Sequence, residues 1–342
     1  MKFAFIADIH LSRYGSDKIE DETNLPERLH SIKKVLYEIA NYCISNNIFT
    51  IIIGGDTLHG KSVIYAIAQE IMIQYFKDFA HLITFIVIDG NHDLSGKSDN
   101  VVSALRSLEN IPNVDWVPYN TTSFMEKENM LLVPYSTKLP EIIKDHKANI
   151  LVSHFGLSEG ILNSGMSIVS EVSLKDLIGR YKLVLLGHYH KPQEIIRQDI
   201  SLYYCGSPIQ LDWGEKNDIK RFLIVDTDTL DVQSIPINEY KKHIEFEIKS
   251  GNIDEILAAA KKAREDGDHV KVIMREKVDL TDFKGEFNVV DKTEADITDR
   301  GITSSMSQED KILKYLEIKE IPEDQSELYA KEAFDIMQSC EV

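Results

Sequence analysis

A large α/β domain followed by a smaller α+β appendage is the fold that this sequence predicts, on three observations. Short apolar runs rich in β-branched and aromatic residues alternate with helical patterns through the first two thirds of the chain. Five of those runs end in residues able to bind metal. The length of 342 residues also exceeds the ~250–300 at which single cores stop growing, so two domains are expected.

The five runs are FAFIAD (3–8), TIIIGGD (50–56), TFIVIDGNHD (84–93), NILVSH (149–154) and LVLLGHYH (183–190), each read as a strand. Between the first two, Leu29, Ile32, Leu36, Ile39 and Cys43 recur at helical spacing, with Pro26 just inside the expected start. A second helix is expected over 61–78. Further on, LYYCGSP (202–208) and RFLIVDTDT (221–229) read as strands, expected to be antiparallel. The first domain is taken as residues 1–238.

Residues 239–290 then show strand, helix and strand patterns: HIEFEIKS, Asp254 to Arg264, and HVKVIMRE. A unit of this size carries little core alone and reads as a cap. The polar, acidic stretch 291–307 lacks the apolar residues needed to offset ordering entropy and reads as a linker. Two short amphipathic segments follow within 308–342, each marginal as an isolated helix.

Composition narrows the function. Hydrophobic residues make up 43% and charged residues 27%, and no apolar run approaches the ~20 residues of a membrane span, so no membrane role is expected. The N-terminal MKFAFIADIH lacks a cleavage site for a signal peptide, which makes the cytoplasm of a bacterium or its host cell the expected compartment. Cys43, Cys205 and Cys340 match neither a thiolate metal site nor a disulfide framework. A net charge of −18 opposes recognition of DNA by a broad basic surface, since cationic side chains dominate such affinity.

The strand ends gather Asp8 and His10, Asp56, Asn91, His154, and His188 with His190, where sites assemble in open α/β sheets. Asp8 and His10 are two apart, as are His188 and His190, so in extended backbone each pair would point to one side. Glycines in GGD, DGNHD and GHYH allow close backbone approach. Four imidazoles, two carboxylates and an amide suit Mn, Fe or Zn better than Ca or Mg. Two Mn ions are the first expectation, with Mg or another divalent ion as substitutes. Asp56 can bridge such a pair about 3.5–4 Å apart, the arrangement that drives in-line displacement at phosphorus. His92 is then placed to touch the scissile phosphate or protonate the leaving oxygen, Asp93 to orient it, and His59 to act as a second phosphate contact.

The pattern D-x-H, G-G-D-x-x-H, G-N-H-D, a strand-end His and G-H-x-H resembles the calcineurin-like metallophosphoesterases over residues 1–215. Within them, His59 and GSPIQLDWGE (206–215) are similar to the SbcD-type nuclease subunits that process DNA ends, including phage recombination nucleases. The resemblance implies a four-layer α/β/β/α sandwich with a small α+β cap that helps position DNA, and C-terminal helices. It also implies one ion on Asp8, His10, Asp56 and His190, and the other on Asp56, Asn91, His154 and His188. Implied partners are DNA, a second copy of the chain, and an SbcC-type SMC-like ATPase docked on 308–319 and 325–338. The implied activity is Mn-dependent 3′–5′ exonuclease action on duplex ends with single-strand endonuclease action, in repair and recombination.

Rival readings remain at this level. GDTLHGKS (55–62) fits the phosphate-loop pattern of NTPases, with Lys61 as its lysine, but that reading leaves the other motifs unexplained. The same metal cage would also serve a small-molecule phosphodiesterase or nucleotidase, and a decayed cage would leave a non-catalytic scaffold. A lone strand-end His is more often structural, and Trp213 more often packs in a core than on a nucleotide.

Overall fold

Strand β1 (Lys2–Ile6) shows how the apolar runs build the core, since Phe3 and Phe5 enter one buried cluster while Ala4 and Ile6 enter another. Side chains alternate across a strand, so one buried on both faces must be apolar at successive positions. The structure is a computed structural model. It describes residues 1–14, 18–20, 23–60, 63–96, 101–167, 169–197, 199–248, 253–275, 288–291, 306, 308–319, 321–322 and 329–330. The chain divides into two compact units, Met1–His243 and Ile244–Val342.

In the first unit the elements after β1 are α1 (Glu27–Ser45), β2 (Thr50–Ile53), α2 (Ala66–Phe79), β3 (Thr84–Ile88), β4 (Val114–Val117), β5 (Ser123–Met125) and β6 (Met130–Val133). There follow α3 (Leu139–Asp145), β7 (Ile150–His154), α4 (Leu174–Leu177), β8 (Leu183–Gly187), β9 (Gln193–Arg197), β10 (Ile200–Tyr204), β11 (Arg221–Asp226) and β12 (Val232–Pro236). Two six-stranded sheets result, ordered β12-β11-β1-β2-β3-β4 and β5-β6-β7-β8-β10-β9.

Between the sheets lie Phe3, Phe5, Ile52, Ile88, Val152 and Leu185 with their neighbours. On the outer face of the first sheet, Ile51, Ile53 and Val87 pack with α1 and α2; on that of the second, Leu151, Val184 and Leu186 pack with α3 and α4. Four layers, α/β/β/α, are therefore stacked. Each fully buried aliphatic or aromatic side chain contributes roughly 1.5–3 kcal/mol.

All five residues expected on the inner stripe of α1 are buried, but Pro26 sits at the N-cap, one position before the first helical residue. Its fixed φ suits either place. The helix expected over 61–78 is described from Ala66 to Phe79, and residues 61–62 lie outside the described residues. The expectation of antiparallel strands holds for β11, which pairs that way with β1 and β12, and half holds for β10, which is antiparallel to β9 but parallel to β8. The sequence run of β10 contains nothing that distinguishes the two, because direction depends on the connection and not on the strand. Cys43 and Cys205 are buried, and burial pushes each thiol up to about 12; Cys340 lies outside the described residues.

The second unit contains a three-stranded sheet, ordered β13 (His243–Ile248, whose first residue belongs to the first unit), β14 (His269–Met274), β15 (Asn288–Asp291), with α5 (Ile253–Glu265) between the first two in sequence. Its core is Ile248, Leu257, Ala260, Val270 and Val272. Strand β15 goes beyond the expected strand, helix and strand, its four residues lying at the edge of a polar stretch. Helix α6 (Gln308–Ile318) follows. Most of the expected linker, and most of the second amphipathic segment at 325–338, lie outside the described residues. Among the described residues no helix is long and apolar enough to cross a membrane.

Candidate metal centre

The C-terminal ends of β1, β2, β3, β7 and β8 bring Asp8, His10, Asp56, Asn91, His154, His188 and His190 together. Only His154 belongs to a strand; the others stand in the turns just beyond. Asp8, His10, Asp56 and His188 have φ of 54°, 52°, 53° and 96°, in the left-handed region that side chains other than glycine seldom adopt. The extended-backbone argument for the two spaced pairs is thereby corrected. Turns, not strand alternation, aim these groups, and such strain persists where surrounding contacts overdetermine it.

Those contacts are mutual. The amides of Asp8, His10 and Leu11 donate to the carbonyls of Gly55, Asp56 and Thr57 at 3.1, 2.9 and 3.0 Å, zipping the first turn to the second. Gly55 itself has a φ of 90°, and a Cβ on Gly90 would strike the Asp56 backbone and carboxylate, so both positions require glycine. Asp93 is wholly buried and accepts from the amides of Thr57, Leu58 and Gly90 at 3.3, 2.8 and 2.8 Å. Asp93 thus ties the second and third turns together.

The same bonds weigh against a phosphate loop over the described residues of the pattern at 55–62. Such a loop cradles phosphate with its backbone amides. Here the amides of Thr57 and Leu58 are taken by Asp93, that of His59 by the Leu11 carbonyl at 3.0 Å, and that of Gly60 by the His92 carbonyl at 3.4 Å. Lys61 and Ser62 lie outside the described residues.

The donors fall into two groups joined by Asp56. In one, the ligand-type atoms of Asp8, His10 and His190 lie within 4.8 Å of one another, with His10 Nε2 2.9 Å from His190 Nε2. In the other, Asn91 Oδ1 is 3.1 Å from His154 Nε2 and 3.0 Å from His188 Nδ1. Asp56 Oδ2 stands 3.6 Å from His10 Nε2 and 3.3 Å from His154 Nε2, while its Oδ1 accepts from the His92 amide at 2.8 Å. Asp8 also accepts from the His188 amide, at 2.8 and 3.1 Å, and comes within ligating range of Asp56 and His154. His59 and His92 border the first group; their rings stack at 4.5 Å and 17°, and His59 Nδ1 is 2.9 Å from His10 Nδ1.

Electrostatics set the protonation of these groups. Burial, reinforced by neighbouring imidazoles, holds His10 well below the ordinary range and pushes His188 down to about 3. Both present neutral nitrogen, the form that ligates. Burial would raise Asp56, but the charge and hydrogen bond of His154, with His10, hold it well below the usual carboxylate range. Burial would lower His154, yet Asp56 lifts it to about 9. Burial pushes Asp8 up to about 6. Carboxylates and imidazoles crowded in this way suit divalent cations, with mixed nitrogen and oxygen donors favouring transition ions.

Two buried groups beside the centre went unread in the sequence. Glu215 is 2% exposed and accepts from His190 Nδ1 at 2.9 Å, and Lys220, 0% exposed, donates to the His190 carbonyl at 3.0 Å. For Glu215 the signal was GSPIQLDWGE, which marks a likeness and not a contact; Lys220 lies five residues beyond that run. Trp213, on the same turn as Glu215, meets His243 edge to face at 4.9 Å.

Comparison with known proteins gives this geometry a family. The profile described as "Calcineurin-like phosphoesterase" matches residues 1–192. Exonuclease subunit 1 of Enterobacteria phage T4 is 30% identical over 267 residues, covering 74% of this chain and 73% of that protein. The DNA double-strand break repair protein Mre11 of Archaeoglobus fulgidus is 23% identical over 65% of this chain and 53% of its own length. The SbcD subunit of the SbcCD nuclease from Staphylococcus epidermidis is 23% identical over 75% of this chain and 74% of its own. Because the profile runs through every donor from Asp8 to His190, the chain belongs to the calcineurin-like phosphoesterases, as a hydrolase acting on phosphodiester bonds.

Proposed function

We propose that this chain is a Mn-dependent DNA nuclease that works from duplex ends in the 3′–5′ direction and also cuts single strands. The observation that carries the reading is the position of Asp56, whose carboxylate stands between the Asp8/His10/His190 group and the Asn91/His154/His188 group. A carboxylate so placed can serve two ions at once. Three relatives named as nucleases or break-repair proteins support a nucleic-acid substrate.

Divalent ions held by these residues would activate water and stabilise charge on the phosphate oxygens. The chain's own contribution is to hold neutral His10 and His188 as ligands, keep Asp56 ionised, and fix the turns through Asp93 and the β1–β2 zipper. His92, stacked on His59 at the border of the centre, is assigned proton donation to the leaving oxygen, and His59 the phosphate. Two of the relatives are named as subunits, which supports action in a complex; we assign α6 and the residues after it to an SMC-like ATPase, and the active form to a homodimer in the bacterial or host cytoplasm. Such a partner would supply the cationic surface that a chain of net charge −18 lacks.

The test compares hydrolysis of end-labelled duplex DNA and of a small phosphodiester, with and without Mn, for wild type and Asp56→Asn. DNA degradation lost in the variant and without Mn is the expected result. Turnover of the small ester alone would assign the centre to a small-molecule phosphodiesterase.

A further inference from the structure

The segment between β10 and β11 carries a buried charge pair that no part of the proposed reaction uses. Glu215, on the short turn Trp213–Glu215, accepts four hydrogen bonds: from His190 Nδ1 at 2.9 Å, Ser207 Oγ at 2.8 Å, the Leu211 amide at 3.1 Å and Lys220 Nζ at 2.6 Å. Lys220 in turn donates to the His190 carbonyl at 3.0 Å, to Ser207 Oγ at 2.9 Å and to Asp218 at 3.3 Å. Glu215 and Lys220 are 2% and 0% exposed.

A buried ion pair adds little net stability, since desolvating two charges offsets their attraction. A pair retained for packing alone would have no reason to grip the same residue twice, at its ring and at its backbone. Accepting from Nδ1–H fixes the imidazole in the tautomer whose Nε2 carries the lone pair, turned toward His10, whose Nε2 is 2.9 Å away. His188, its partner in the G-H-Y-H motif, is held differently: its Nδ1 faces Asn91 inside the centre.

We infer that Glu215 and Lys220 form a positioning pair that locks the tautomer and seat of His190, and so sets the affinity of one of the two ion sites independently of the other. The inference rests on the two-ion reading above. It makes the occupancy of the His190 side adjustable from a segment that contributes no ligand, while the His154 side is fixed by a backbone acceptor, the Gly54 carbonyl 2.8 Å from Nδ1.

The experiment titrates Mn into metal-free, full-length protein by calorimetry, with thermal melting of the same samples. Glu215→Gln combined with Lys220→Met removes both charges together, so the fold is expected to survive. Two binding events are expected in the wild type, and in the double variant one of them weakened about 10–100-fold with the other unchanged. Wild-type affinity at both sites in a double variant that melts like wild type would overturn the inference, as would equal weakening of both sites in step with a lower melting temperature. If the double variant does not fold, Glu215→Gln alone keeps Asp218 opposite Lys220 and should weaken one site by up to about tenfold; no change there also overturns it. A wild type that binds no divalent ion counts against the two-ion reading instead.

Discussion

The strands of the first unit and the turns at their C-terminal ends are built on opposite rules. Strands β1, β2 and β8 are regular, apolar at successive positions, and stabilised by packing that any similar side chain could partly replace. The turns place Asp8, His10, Asp56 and His188 on left-handed backbone, and hold them there with hydrogen bonds from turn to turn. Structure in the strands follows from local pattern and in the turns from neighbours distant in sequence. Substitutions in the two regions should therefore fail differently, one in stability and the other in chemistry.

The largest contrast is expected from Asp56→Asn. On the proposed function, loss of this carboxylate should cut Mn-dependent DNA hydrolysis by more than about 10⁴-fold, since each bound ion would contribute several kcal/mol of charge stabilisation, while far-UV circular dichroism stays that of the wild type. His92→Asn should cost about 10²–10⁴-fold in turnover, the range for a lost general acid, with metal content by elemental analysis unchanged. Normal turnover in that variant would remove His92 from the chemistry. Phe5→Ala acts on the other region: about 3–5 kcal/mol of stability in denaturant unfolding, with near-normal activity per folded molecule.

A pH experiment sharpens the same contrast with a smaller effect. His154 is raised by Asp56 to about 9, against about 6.5 in an unfolded chain. In chelator-treated protein its stabilising contribution is full below pH 6.5 and disappears as pH rises through 9. The melting temperature of the metal-free protein should fall across that window, and His154→Gln should flatten the fall. Because an ion must displace that proton, Mn affinity should rise with pH over the same range.

How much could be read beforehand follows the same division. That the candidate donors would gather was legible because each closes an apolar run, and position at a strand end is a property of the local sequence. The backbone that aims them was not, since nothing in D-x-H or G-H-x-H encodes a positive φ at Asp8 or His188. The tie that Asp93 makes was illegible for the same reason: the amides of Thr57, Leu58 and Gly90 that it accepts from come from two different turns. Glu215 and Lys220 reach His190 across 25 and 30 residues, beyond the reach of any periodicity. The direction of β10 was lost likewise: the chain enters it from β9, to which it is antiparallel, and lays it parallel beside β8.

The left-handed turns carry a further consequence for how this chain can change. Each non-glycine residue held there costs of order 1–3 kcal/mol, tolerated because the side chain is needed. Glycine at position 8, 10 or 188 would relax the backbone while deleting a proposed ligand, so on that proposal relaxation and activity pull in opposite directions at the same atoms. A lineage released from its chemistry would find gains in stability waiting at these positions, and a designer seeking a sturdier enzyme would have to look everywhere else.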